Sequence, residues 1–140
     1  MSDYDEHTNR LLVIFDSKKI PPVSDKSLKT YLKYLKSKIQ MPCQLTGIED
    51  FEWEEYYVFG PGSKKEYEQL KKTQPSYTDK YELIDFEDEV DEFYGVMVNV
   101  KRLSDRKKFE LPLADLEATN KKSDDYQLLD DYSVWFVNNR

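Results

Sequence analysis

Residues 96–113, VMVNVKRLSDRKKFELPL, decide the fold class of this 140-residue chain. Both ends of the stretch place an apolar side chain at every second position: Val96, Val98 and Val100, then Phe109, Leu111 and Leu113. This period of two is typical of a strand with one buried face. The residues between the two ends, 101–108, are polar enough to form a turn. The stretch therefore predicts a β-hairpin, and with it an antiparallel sheet.

The most clearly defined helix of the sequence precedes this hairpin, over residues 25–39. Ser24 can cap its first turn, and the negative charge of Asp25 suits the exposed N–H groups there. Its apolar side chains recur at helical spacing and form one stripe: Leu28, Tyr31, Leu32, Leu35 and Ile39. Lysines cover the other side, and Pro42 prevents the helix from continuing. We expect this amphipathic helix to pack on the sheet.

The segment 41–62, MPCQLTGIEDFEWEEYYVFGPG, mixes carboxylates with aromatic rings. Because rings favour burial and carboxylates favour water or a cation, the segment predicts a strand or loop with one apolar and one anionic face. Within it, residues 56–59 predict a strand that the following Gly-Pro-Gly turn ends. Ser63 and Glu66 then match the S-x-x-E capping box, which predicts a short helix over residues 64–72.

The remaining elements complete the expected fold. Residues 11–15 predict a short strand or a packed arm, residues 113–118 a single helical turn, and residues 132–137 a closing strand. Residues 1–9 predict a disordered tail, which leaves residues 10–140 as a single domain. Helices and strands do not alternate regularly, so a parallel sheet is not expected. We predict an α+β fold: a small, mostly antiparallel β-barrel of SH3-like size with an N-terminal amphipathic helix and a second short helix.

Composition restricts the classes of function. The chain has 28 acidic and 21 basic residues, a formal charge of −7, which argues against binding a nucleic-acid backbone. No apolar run reaches the roughly 18 residues that a membrane span needs. The polar start of the chain lacks the features of a secretory signal, so we expect a cytoplasmic protein without a membrane partner.

Catalytic and nucleotide-binding motifs are missing from the sequence. The single histidine, His7, falls in the predicted tail, which gives Ser–His or Cys–His catalysis almost no support. One cysteine cannot form an intramolecular disulfide, and the sequence has no phosphate-binding glycine loop. Paired carboxylates could act as general acid and base, but nothing in their spacing selects that use. We therefore predict that the protein is not an enzyme.

The densest charge lies in residues 82–92, called here the acidic run, which holds seven acids and no base. Its acids at 85, 87, 89 and 91 recur at every second position, as in the first half of an EF-hand loop. An EF-hand would need glycine and glutamate where Val90 and Val96 stand, so no EF-hand is present. A different calcium site could still use two or three of these acids. The other interpretation is a solvated acidic loop without a specific ligand.

Three stretches together resemble a bacterial family. They are YLKYLKSKIQMPCQL (31–45), VMVNVKRLSDRKKFELPLADLEA (96–118) and YQLLDDYSVWFVN (126–138). The arrangement resembles the cyanobacterial calcium-binding (CcbP-type) family, and the likeness spans roughly residues 28–137. It implies a small β-barrel with helices and calcium held by loop carboxylates without an EF-hand. Where the family has acids at the helix end, this chain has Lys36 and Ser37. A site here would therefore depend on other carboxylates.

We accordingly predict a non-catalytic, calcium-binding protein whose only cofactor is Ca²⁺. The candidate ligands are, first, Asp85, Glu87, Asp88 and Asp91, and second, Glu49 and Asp50. The alternative is an acidic interaction module, such as an inhibitor or immunity-type protein, that docks on a basic protein partner. In that case Trp53, Tyr56 and Tyr57 would be anchors, because Trp and Tyr are enriched at interface hot spots. The other interpretation is that these rings are packed in the core.

Overall fold

The computed structural model describes residues 5–140, which form five α-helices and five β-strands. The helices are α1 (Glu6–Phe15), α2 (Asp25–Lys38), α3 (Glu55–Val58), α4 (Lys64–Leu70) and α5 (Asp124–Asn138). The strands are β1 (Gln44–Gly47), β2 (Lys80–Asp91), β3 (Gly95–Arg102), β4 (Lys108–Pro112) and β5 (Leu116–Ala118). Short 3-10 helices cover Glu52–Glu54 and Leu113–Asp115. None of the helices formed by these residues is long and apolar enough to span a membrane.

The strands form one antiparallel sheet in the order β4-β3-β2-β1-β5. The predicted α+β class is therefore confirmed, but the predicted barrel is not, because β4 and β5 lie at opposite edges and do not pair. β5 has only three residues, too short a ladder to close a barrel against β4. Instead, α2 packs on β2 and β3, and α5 packs on β5, so helices rather than strand closure cover the core.

The predicted hairpin is confirmed as β3 and β4, with Val98 opposite Leu111 and Val100 opposite Phe109. The strand before it is longer than expected, because β2 continues through most of the acidic run to Asp91. Irregularities in the pairing with β3 occur between Leu83 and Asp85 and between Phe86 and Val90. The acidic run is thus largely an extended strand, not a loop.

The two predicted helices are confirmed as α2 and α4. The Ser24 side chain accepts a hydrogen bond from the Ser27 N–H at the start of α2. The apolar stripe of this helix is buried, except for Ile39, which follows its last residue and is half-buried. At the start of α4 the Ser63 side chain accepts from the Glu66 N–H, as the capping signal predicts. α4 ends at Leu70, two residues earlier than expected.

The predicted closing strand at residues 132–137 is wrong, because these residues belong to α5. Apolar side chains occupy both odd and even positions there, so the alternation does not define one face. Burial follows helical spacing instead: Leu129, Tyr132 and Phe136 are each at most 3% exposed. The Ser123 side chain caps the helix by accepting from the Tyr126 N–H. Residues 56–59 are likewise helical or turn, not the predicted strand.

The predictions for the first 15 residues also need correction. Residues 11–15 are the second half of α1 rather than a strand, and residues 6–9, assigned to a disordered tail, form its first half. The buried carboxylate of Asp131 on α5 holds this helix, accepting hydrogen bonds from Arg10 at 2.6 and 2.9 Å and lying 2.8 Å from His7 Nδ1. Residues 1–4 of the predicted tail lie outside the described residues. The single domain over residues 10–140 stays a prediction.

The core is centred on three aromatic side chains. Trp135 and Tyr132 of α5 pack against Tyr31 of α2, with ring centroids 5.1 Å from Tyr31 in both cases. The Tyr132 hydroxyl also accepts a 2.8 Å hydrogen bond from the backbone N–H of Val96, which ties α5 to β3. Gly95 has φ +80°, and a Cβ there would collide with Tyr132 and Phe136. This contact requires glycine at the start of β3.

The two buried tyrosines provide a matched test of this core. Tyr132→Phe leaves the buried Val96 N–H without an acceptor, so we expect a loss of about 1–3 kcal/mol in the free energy of unfolding. Tyr31→Phe removes a buried hydroxyl that has no hydrogen-bond partner within residues 5–140, so we expect a smaller loss or a gain. Urea unfolding monitored by tryptophan fluorescence measures both. Equal losses in the two variants would contradict this account of the α5–β3 contact.

Candidate metal centre

The acids of the acidic run do not share one environment. Asp85 and Glu87 are brought together by the side chain of Asn99 on β3, whose Nδ2 donates to Asp85 Oδ1 at 2.7 Å and to Glu87 Oε1 at 2.6 Å. A neutral amide therefore bridges this pair of carboxylates, and no Lys or Arg of the described residues forms an ion pair with either. Their mutual repulsion is eased by hydrogen bonding but not neutralised.

The other two candidate ligands of the run, Asp88 and Asp91, form contacts with other parts of the protein. Asp88 is exposed and forms an ion pair with Lys36 of α2, and the Lys36 ammonium lowers the pKa of the Asp88 carboxyl. Asp91 accepts hydrogen bonds from the backbone N–H groups of Phe93 and Tyr94, at 2.7 and 2.8 Å, and shapes the turn between β2 and β3. The structure thus brings together Asp85 and Glu87 but engages Asp88 and Asp91 in other contacts.

The second pair of candidates, Glu49 and Asp50, lies in a cleft of about 510 Å³, called here the acidic cleft. Three further carboxylates line it, which are not among the ligands predicted from the sequence: Glu52, Asp115 and Asp130. They come from separate parts of the chain, namely the 3-10 helices at 52–54 and 113–115, and α5. The fold therefore assembles acids that are far apart in sequence.

Strand pairing explains how Asp115 comes close to Glu49. β1 and β5 are antiparallel neighbours with Gly47 opposite Leu116, and just beyond them the Ile48 N–H donates to the Asp115 carbonyl at 3.0 Å. This register fixes the backbone of the 48–50 loop against the 3-10 helix that carries Asp115. A three-residue strand at positions 116–118 has too little alternation to be recognised from sequence, so Asp115 could not be selected.

The electrostatics of the acidic cleft are most evident at Asp115. This residue is exposed, yet the nearby protein partly desolvates its carboxyl group and raises its pKa, and the negative charges of Glu49 and Glu52 raise the pKa further. A raised carboxyl pKa means that ionisation is opposed by the local field. The mutual repulsion between the negative charges of Asp115, Glu49 and Glu52 is therefore not fully compensated.

One cation, Arg140, also lines the acidic cleft. Its guanidinium donates to the carbonyl of Phe93 at 2.9 Å and lies over the rings of Phe93 and Phe136, 5.4 and 4.8 Å from their centroids. No ion pair between Arg140 and a cleft carboxylate is formed within the described part of the chain. Arg140 is thus held mainly by aromatic rings and a backbone carbonyl.

Neither the acidic run nor the acidic cleft is already arranged as a metal site within the described residues. Over residues 5–140, no three His, Cys, Asp or Glu side chains converge closely enough to hold a metal ion as they stand. Glu49 and Glu52 are exposed, so their long side chains are not fixed by packing and could turn toward an ion. Glu54, which also lies in this segment, is fully buried and hydrogen-bonded, so it is not available as a ligand.

Comparisons with known proteins agree on one family. The model of the CcbP family, described as calcium binding, matches residues 61–136, more than half of the chain. The crystal structure of Anabaena CcbP is similar with a TM-score of 0.56 and 14% sequence identity, over 99% of this chain and 94% of that chain. At this identity the likeness shows the fold alone. No curated protein matches the sequence.

The field within the acidic cleft can be measured directly. Glu49→Gln removes a negative charge near Asp115, so we expect the pKa of Asp115 to fall toward its ordinary value of 3.8. Carbon-detected NMR titration of the aspartate carboxyl groups provides the measurement. Glu117→Gln is the control, because Glu117 is close in sequence but does not contribute to the Asp115 shift. An unchanged pKa in Glu49→Gln would show that these two acids do not interact.

Proposed function

The chain belongs to the CcbP calcium-binding family, and we propose that it holds Ca²⁺ with carboxylates of the acidic cleft rather than with an EF-hand. The proposed ligands are Glu49, Asp50, Glu52 and Asp115. The observation that carries this choice is the convergence of these carboxylates, from separate parts of the chain, on one cleft. The charges of Glu49 and Glu52 also raise the pKa of Asp115. A bound cation would neutralise the charge that opposes ionisation there.

The chemistry of the cleft suits calcium better than a transition metal. Every charged candidate ligand is a carboxylate, and hard cations such as Ca²⁺ prefer oxygen. Ca²⁺ accepts six to eight oxygens at about 2.3–2.6 Å in flexible geometry, whereas Mg²⁺ demands near-ideal octahedral geometry and loses its water reluctantly. A site whose side chains must first turn inward therefore favours the less exacting ion.

The acidic run is the second proposed location. Asp85 and Glu87 already lie within hydrogen-bond distance of one amide, so an ion could displace the Asn99 amide or share these oxygens with it. Asp88 would first have to leave Lys36, and Asp91 would have to give up its two backbone N–H groups. These competing contacts are the reason for ranking the run below the acidic cleft.

Three other predictions from the sequence are carried forward as proposals. A non-catalytic role is supported by the family, which is described as calcium binding. Cytoplasmic location stays a prediction, as does the alternative of an acidic module that docks on a basic protein partner. None of these is needed for the calcium site.

Calorimetric titration of Ca²⁺ into chelator-treated protein, with Mg²⁺ titrated separately, tests the calcium site. We expect saturable Ca²⁺ binding that Asp115→Asn weakens by roughly tenfold or more, because the variant loses a charged ligand. Binding should also weaken as the pH falls through the raised pKa of Asp115, since protons compete with the ion for the carboxylate.

Two further variants locate the site. Asp85→Asn reports on the acidic run, and Glu68→Gln on α4 serves as a control that removes one surface acid outside both regions. A loss of affinity in Asp85→Asn but not in Asp115→Asn would move the site to β2. Binding unaffected by both would contradict the proposed ligands while leaving the family assignment intact.

A further inference from the structure

An apolar groove of about 590 Å³ lies next to the acidic cleft and shares only Glu52 and Asp115 with the proposed calcium site. Its apolar lining consists of Phe51, Trp53, Pro75, Met97, Leu111 and Pro112. Met97 of β3 and Pro112 of β4 are direct partners in the sheet, so the edge hairpin forms one wall. The segment around the 3-10 helix at residues 52–54 forms the other wall. The groove is therefore built between two well-defined elements.

The wall that carries Trp53 is fixed by its own contacts. The indole Nε1–H donates to the carbonyl of Pro75 at 2.6 Å, and the ring lies 6.1 Å from Tyr57 and 5.7 Å from Tyr67, measured between centroids. A tryptophan held in this way presents a rigid apolar surface, which lowers the entropy cost of binding. Trp53 and Tyr57 are both half-buried. Their rings therefore pack against the protein, as the core interpretation predicts, and also keep the exposed surface that an interface anchor needs.

Exposed aromatic rings extend the groove at one end. Tyr94 lines both the groove and the acidic cleft and is 42% exposed, and its neighbour Phe93 is 65% exposed. Their rings meet edge to face with centroids 4.8 Å apart. Contiguous exposed apolar surface with a polar rim is typical of an interaction site. Trp and Tyr are also the residues most enriched at interface hot spots.

The charge around the groove restricts what can occupy it. Glu52 and Asp115 line the groove as well as the acidic cleft, and Glu49 and Asp50 lie beyond them. None of the groove-lining residues within 5–140 is positively charged. An occupant must therefore be apolar where it contacts Trp53 and Met97, and cationic where it reaches the acids. A nucleic-acid backbone or a second acidic surface would be repelled.

We infer that this groove docks a segment of a partner protein in which a large apolar side chain is followed by lysine or arginine. The apolar side chain contacts Trp53, Met97 and Leu111, and the basic residues pair with Glu52 and Asp115 at the entrance to the acidic cleft. The inference does not rest on calcium binding, because the apolar wall contains no proposed ligand; Ca²⁺ and the basic residues of the partner would compete only for Glu52 and Asp115.

A synthetic peptide tests the inference without knowledge of the partner. The probe is a fluorescently labelled peptide with a leucine–phenylalanine pair between two lysine–arginine pairs, titrated with the full chain in excess chelator so that Ca²⁺ is absent. We expect saturable binding measured by fluorescence anisotropy, weakened by added salt because its charged contacts are solvent-exposed. A peptide with serine and glycine in place of the apolar pair should bind at least about tenfold more weakly.

Matched variants separate the groove from general charge attraction. Met97→Lys places a cation in the groove, whereas Ile84→Lys makes the same change of charge at an exposed position of β2 outside it. We expect Met97→Lys to weaken binding by about tenfold or more and Ile84→Lys to change it by less than about twofold. Equal effects of the two variants, or equal binding of both peptides, would overturn the inference.

NMR spectra of the unmodified chain test the inference without any substitution, so misfolding of a variant cannot affect the result. The indole N–H of Trp53 should shift on addition of the peptide, while that of Trp135, fully buried in the core, should not. Shifts confined to other regions would overturn the inference. Sedimentation at the same concentration distinguishes a second copy of the chain as the occupant: a dimer that Met97→Lys dissociates would also contradict docking of a basic segment.

Discussion

Both proposed binding surfaces of this protein depend on the burial of one carboxylate, that of Glu54. The side chain is fully buried and accepts four hydrogen bonds, from the backbone N–H groups of Phe51 and Tyr77 and from the hydroxyls of Tyr67 and Ser76. An ionised carboxylate without these donors would carry a large desolvation cost. The four bonds hold the 3-10 helix at residues 52–54 against α4 and the start of β2. Glu52 and Trp53 are therefore presented by a fixed turn. Glu52 contributes negative charge to the acidic cleft, and Trp53 contributes an apolar wall to the groove.

A second buried charge anchors the other side of the same region. Arg102 is 2% exposed and donates to the carboxylates of Asp79 and Asp105, as well as to the carbonyls of Lys71, Lys72 and Gln74. The guanidinium lowers the pKa of Asp105 to about 2. These bonds connect the end of α4 to β2 and β3. Hydrogen-bonded ionic groups thus fix the 51–54 segment through Glu54 and the 71–79 segment through Arg102, and Pro75 of the second segment lines the groove.

How far the sequence could predict this structure follows from the range of the interactions involved. α2, α4 and the β3–β4 hairpin were predictable because caps, helical spacing and alternation are local signals. α5 was assigned to a strand because residues 132–137 are apolar at both odd and even positions, and only burial on the sheet reveals its helical face. Asp115 was not selected, since it meets Glu49 only through the pairing of β1 with β5. The sequence marks Trp53 as an anchor only under the alternative of an interaction module, and the groove that it lines depends on tertiary packing.

The acids of this protein differ in how their negative charge is compensated, and this difference bears on the proposed calcium site. Glu54 and Asp131 are buried and compensated by donors or cations, whereas the carboxyl of Asp115 has a raised pKa because protein and neighbouring acids surround it. A group whose pKa is raised by folding stabilises the fold below its ordinary pKa of 3.8, and that contribution is lost as the pH rises through the folded value. At neutral pH, ionisation of Asp115 beside Glu49 and Glu52 therefore costs folding free energy. A cation bound only by the folded chain would remove this cost and add its own binding free energy to stability. At the proposed site, calcium binding and stability would be coupled through the same carboxylates.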